Sequence, residues 1–137
     1  MNKSPRKIIK GVITIEDGAN VWPHELFIAK ALANAGHSVR FIPAHNSSRS
    51  ADAYVDNTIF EFKAPEGSTS NAIERNLVKA LNYQSPNIVI STVRMKKIRD
   101  KSAQSFLVSR LSSGKGIKRL IFVNREGKAV DINALVC

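Results

Sequence analysis

Apolar positions along the chain switch repeatedly between the two-residue period of a strand and the three-to-four-residue period of a helix. Gly11-Val12-Ile13-Thr14-Ile15 reads as a strand, followed by a loop over 16–20. Pro23 then opens a helix, since proline suits a first helical position, and Gly36 is its stop signal after about Ala35. Ile28, Ala31, Leu32 and Ala35 form the apolar stripe. Glu25 extends that stripe and is expected to point toward the sheet. Val39-Arg40-Phe41-Ile42 is the next strand, and 44–50 is a polar loop that contains His45. Residues 52–63 read as two short strands joined at Asp56-Asn57, a favourable hairpin turn pair. Ser70 is the expected N-cap of a second helix with Ile73, Leu77, Ala80 and Leu81 on one line and Gln84 at its end. Asn87-Ile88-Val89-Ile90-Ser91 is a continuous apolar run, as in a buried central strand. Ala103, Phe106, Leu107 and Leu111 make a third helical stripe, and 120–123 and 129–132 are the last strands. The order predicts a layered α/β domain with a mixed β-sheet flanked by helices. Residues 1–10 read as a flexible basic arm and 11–137 as one domain.

The hairpin carries the chemistry. Alternation along its second strand puts Ile59, Glu61 and Lys63 on one face and Phe60 and Phe62 on the other. A carboxylate and an ammonium on an otherwise apolar strand are costly to bury, which points to a site rather than a core. Glu25, Asp52, Glu61 and Lys63 can converge from separate elements. Carboxylates so placed suit a hard divalent cation, magnesium first, with manganese or zinc as alternatives. Such an ion polarises a phosphoryl oxygen and acidifies a water, and a lysine beside it steadies charge developing on phosphate. The chemistry implied is phosphodiester hydrolysis. The bland alternative is a pair of charges on a solvated sheet face. Asp56 has two readings, a turn residue or a further acid at the site.

Composition narrows the substrate. The 137 residues include 21 Lys and Arg against 11 Asp and Glu, a net charge of +10, which favours a polyanionic partner and nucleic acid first. Arg94, Lys96, Lys97, Arg99 and Lys101 crowd one short segment, a candidate phosphate-gripping edge. Trp22, Tyr54 and Tyr83 can stack on bases, although Trp22 reads better as a hydrophobic staple before the first helix. One cysteine, Cys137, excludes an internal disulfide and a cysteine-rich zinc site. His24, His37 and His45 lack zinc-ligand spacing, and Gly114-Lys115-Gly116 lacks the spacing of a P-loop. His37 is expected to interact with the end of the first helix. No apolar run approaches the roughly 20 residues of a membrane span, and no signal-type segment follows the basic start.

Asp52, an eight-residue gap and then Glu61-Phe62-Lys63 resembles the motif of the PD-(D/E)xK nuclease superfamily, with Ala51 where that motif usually has proline. The helices carrying Glu25 and ending in Gln84 resemble the superfamily's flanking motifs. Over roughly 22–91 the chain is more closely similar to the C-terminal nuclease domains of contact-dependent growth inhibition proteins of the CdiA type. The resemblance implies a restriction-endonuclease-like core and a metal-dependent ribonuclease toxin that cleaves tRNA. It implies delivery within a larger exported protein, action in the cytoplasm of a target bacterium, and neutralisation by an immunity protein, expected to be acidic. It implies Asp52 and Glu61 as metal ligands, Lys63 as the catalytic lysine, and Glu25 as a metal or water-positioning acid. Ser70 and Gln84 would be accessory groups. A DNA endonuclease of restriction or repair type, or a binding module without catalysis, are the alternatives.

Overall fold

The computed structural model describes residues 10–43, 53–83, 85–114 and 116–136. The basic arm up to residue 9, His45 with the rest of its loop, Asp52, Gln84 and Cys137 lie outside the described residues. The elements run β1 (Ile13–Ile15), α1 (Pro23–Asn34), β2 (Val39–Phe41), β3 (Ala53–Val55), β4 (Thr58–Lys63), α2 (Ser70–Tyr83), β5 (Asn87–Ser91), α3 (Asp100–Ser112), β6 (Arg119–Val123) and β7 (Ala129–Asp131). A short 3-10 helix, Ile132–Leu135, follows. The strands form one mixed sheet in chain order, with β1–β2, β4–β5 and β5–β6 parallel and the other pairs antiparallel.

Strand β4 joins the two halves of the sheet. Its first half pairs with β3 (Ala53 with Phe60, Val55 with Thr58) and its second half with β5 (Glu61 with Ile88, Lys63 with Ile90). Alternation then sorts its side chains. Phe60 and Phe62 join Val39, Phe41, Ala53 and Val55 in a core under Ile28 and Leu32 of α1. Ile88, Ile90, Leu120 and Phe122 face the other way, onto Ile73 and Leu77 of α2 and Leu107 of α3. Glu61 and Lys63 share that second face. Helix α1 therefore covers one side of the sheet, and α2 and α3 cover the β4–β7 half of the other.

The hairpin turn demands its sequence. Asp56 and Asn57 have φ of 49° and 70°, the doubly left-handed backbone of a tight hairpin turn, which Asn and Asp tolerate better than most residues. The Asp56 carboxylate accepts the Ser38 N–H at 2.8 Å and lies 2.6 Å from His37 Nδ1. The Asp56 N–H donates to the Ser38 carbonyl at 2.8 Å, so the turn is tied to the connection after α1. Gly36, at φ 100°, makes that connection possible. His37 returns its N–H to the Leu32 carbonyl, while its ring goes to Asp56 rather than to the helix end. Burial pushes the Asp56 carboxyl up, but the His37 hydrogen bond, the Ser38 N–H and the charge of His37 outweigh it and hold the group below its ordinary value.

Three local expectations change. Trp22 is not a buried staple: it occupies the N-cap of α1 and is 63% exposed, while Val21 packs on the core. Helix α2 begins at Ser70 itself, so the capping position falls to Thr69. Ala35 ends outside the α1 stripe as an exposed C-cap, and Ala29 and Ala33 are buried instead.

Asp56 has a depressed native pKa, so its stabilisation is complete above the unfolded value, near 3.9, and fades as pH falls through the native value. Asp56→Asn keeps a turn-tolerant residue and removes the charge. Its melting temperature should lie below that of the parent at pH 7, and the gap should close below about pH 4. Thermal unfolding across that range checks this, and a gap independent of pH would contradict it.

Candidate active site

Glu61 and Lys63 meet as expected. Lys63 Nζ lies 3.3 Å from Glu61 Oε2, and their side chains are 16% and 4% exposed. A pair this buried is held by its surroundings, because removing one partner strands a charge in a poorly solvated place. Beyond the last residue of α2, Ser85 Oγ and Asn87 Nδ2 donate to the Ile59 carbonyl at 3.3 and 3.2 Å, two residues before Glu61. The start of α2, with Ser70, lies at the other end of a 14-residue helix, about 20 Å away. Ser70 and Tyr83, the last residue of α2, therefore lie well apart. Asp56 is at the turn, engaged with His37 and Ser38, away from the Glu61–Lys63 end of β4.

Glu25 is half-buried at the third position of α1, and its Oε1 accepts the Trp22 N–H at 2.9 Å. That contact is one half of a capping box, so one carboxylate oxygen caps the helix. Ala53, the first described residue after Asp52, pairs with Phe60, the residue before Glu61.

The cationic segment folds against the end of β4. Arg94 Nε donates to the Ala64 carbonyl at 2.9 Å, and Arg94 Nη1 stands 4.0 Å from Glu66 Oε2. Met95 is buried and bridges Gly67, with the Lys96 N–H on the Gly67 carbonyl at 3.2 Å. Arg94 is thus anchored to the residue after Lys63, and all five cations, Arg94, Lys96, Lys97, Arg99 and Lys101, are exposed.

Two groups here had no assigned role. Burial and the nearby Arg94 charge lower the His24 pKa, while Glu25 and Glu66 oppose them. His24 therefore stands near Arg94 at the start of α1, a proximity invisible to metal-ligand spacing. The second is Asp100, the one acid within the cationic run. Its Oδ1 accepts the Thr92 hydroxyl at 2.5 Å and Arg125 Nη1 at 2.9 Å, and its Oδ2 accepts the Arg125 N–H at 3.0 Å. Arg125 Nη2 also reaches the Met95 carbonyl at 3.1 Å. Asp100 thereby clamps both ends of the 92–100 segment to the β6–β7 turn. An acid opening a helix inside a run of cations was the available signal.

Fold and site together define a mixed α/β domain with a buried carboxylate–lysine pair on a strongly basic chain. Residues 49–129 match the family described as contact-dependent growth inhibition CdiA C-terminal domain, more than half of the sequence. The chain belongs to that family. No curated relative matches the sequence. A solved structure, the CdiA-CT/CdiI toxin and immunity complex from Burkholderia pseudomallei, has a similar fold at a TM-score of 0.64. The similarity covers 88% of this chain and 97% of that one at 16% identity. Among the described residues, no helix is long and apolar enough to cross a membrane.

Arg94 lowers the His24 pKa, so Arg94→Gln should raise the His24 midpoint toward 6.5. NMR titration of the ring protons reads this directly. Asp100→Ala should destabilise the domain by about 2 kcal/mol, the scale of hydrogen bonds to a charged group, as read by chemical denaturation.

Proposed function

We propose that the chain is a growth-inhibiting toxin domain of the PD-(D/E)xK nuclease type, a metal-dependent ribonuclease acting on tRNA. The observation that carries this reading is the buried Glu61–Lys63 pair, 3.3 Å apart on a strand whose opposite face is apolar. Such a pair is poor value as a stability device, because well-packed apolar residues of like volume serve as well or better. It is good chemistry for a phosphoryl group, which needs a carboxylate and a cation held in one orientation. Family membership and the net charge of +10 support a nucleic-acid substrate.

Among the described residues no three His, Cys, Asp or Glu side chains come together as a metal cluster. A site here would have the sparse set that magnesium accepts, one or two carboxylates with substrate phosphate and water. Buried Glu61 fits that requirement as one hard oxygen donor, and Asp52 is the partner assigned in this reading. The hairpin pairing that brings Ala53 opposite Phe60 supports that choice. The bound ion would supply Lewis acidity and an acidified water. Lys63 stabilises negative charge growing on the phosphoryl oxygens. Glu25, which caps α1 through Oε1, is the metal or water-positioning acid of this reading. Arg94 holds the adjoining phosphate, and Lys96, Lys97, Arg99 and Lys101 contribute the exposed, salt-sensitive part of RNA binding. Gln84 and Ser70 are the accessory groups of this reading.

The domain would act within a larger delivered protein, in the cytoplasm of a target bacterium. The similar Burkholderia pseudomallei toxin is seen with its immunity protein. A cognate immunity protein here would be acidic, covering the exposed cations by charge complementarity.

The test is incubation with total tRNA and with plasmid DNA, in magnesium, in zinc and in EDTA. Glu61→Gln and Lys63→Met each preserve side-chain volume, and each should lower tRNA cleavage by roughly 100-fold or more, with circular dichroism unchanged. Undiminished cleavage in both variants would sink the assignment. Cleavage of DNA alone would move the substrate to DNA.

A further inference from the structure

The face that carries Glu61 and Lys63 continues, past the end of α2, onto the other half of the sheet. Tyr54 pairs with Ile59, and Arg40 pairs with Tyr54, so all three share that face with Glu61. Among the described residues no helix covers this half: Ile59 is 37% exposed and the Arg40 side chain 44%. Thr14, Ser38, Arg40, Tyr54, Asp56 and Asn57 line an open cavity of about 340 Å³ there. Within it the Arg40 guanidinium lies 4.4 Å above the centre of the Tyr54 ring.

The electrostatics select the ligand. Arg40 is ion-paired with Glu16, so its charge is largely spent locally. The Asp56 carboxylate, engaged by His37 and the Ser38 N–H, also lines the cavity, so its described lining offers no unpaired cation to a phosphate. What remains is a guanidinium set over an aromatic ring with hydroxyl and amide groups around it. That surface suits a nucleobase, which stacks on arginine and aromatic planes and hydrogen-bonds through its edge. Ile59 lies two residues from Glu61, about 7 Å along the strand, and Tyr54 one strand further, about 5 Å. That is the distance to a nucleotide neighbouring the one at the buried pair.

We infer that the Arg40–Tyr54 stack is a nucleobase subsite that holds an unpaired base of a single-stranded RNA segment next to the scissile phosphate. This inference rests on the nucleic-acid reading above, and it assigns that substrate's class: single-stranded loop rather than duplex.

The experiment measures binding without turnover. Fluorescence anisotropy on the Glu61→Gln protein compares a short oligoadenylate with an abasic ribophosphate chain of equal length. The base-bearing chain should bind roughly tenfold or more tightly. Tyr54→Leu should abolish that preference without changing abasic binding, while Tyr54→Phe should keep it. Equal binding of the two chains, no binding of either, or an unchanged preference in Tyr54→Leu would each overturn the subsite. A thermal melt of Tyr54→Leu guards against loss of fold, and rescue by Tyr54→Phe separates stacking from the hydroxyl. A protein that prefers the base-bearing chain but cleaves neither tRNA nor DNA keeps the subsite and loses the nuclease reading. One that cleaves tRNA with no base preference does the reverse.

Discussion

Strand β4 is the constraint on which the rest depends. It must pair with β3 through its first half and with β5 through its second, and it must bury Phe60 and Phe62 on one face. Period-two alternation then leaves the other face to Ile59, Glu61 and Lys63. A slip of one residue would drive Glu61 and Lys63 into the core beneath α1 and expose Phe60 and Phe62. The tight turn at Asp56 and Asn57, locked by His37 and Ser38, prevents that slip. Fold register and site geometry are thus one requirement, enforced by a turn at the far end of the hairpin.

The second requirement is that the cationic segment stay close to β4. Its charges repel one another, which disfavours crowding them into one short connection. Asp100 answers this by binding Thr92, Arg125 and, through Arg125, the Met95 carbonyl. The buried Met95 and its bridge to Gly67 add an apolar anchor. Arg94 is left held by its Nε, while the remaining cations face outward. The segment combines one positioned arginine with several solvated charges, a division between orientation and general attraction.

Much of the fold could be read from residue pattern. The helices have clear stripes, Pro23 and Gly36 bracket the first, and Asp56-Asn57 announces its turn. The shared face of Glu61 and Lys63 followed from alternation alone. The roles of Glu25 and Trp22 did not, because a capping contact depends on where the helix starts relative to the incoming chain, not on a stripe. His24 near Arg94, and Asp100 on Arg125, join residues far apart in sequence. No local period reports such contacts.

The sequence by itself determined the alternation of elements, the turn at 56–57, the shared face of Glu61 and Lys63, and the excess of positive charge. Each follows from local backbone preference or simple composition. Only the tertiary structure decided that the pair is buried, and that α2 and α3 leave the Arg40–Tyr54 half of their face open among the described residues. Burial and adjacency depend on how helices of given length pack across a sheet. That packing is a property of the assembled layers, not of any one segment.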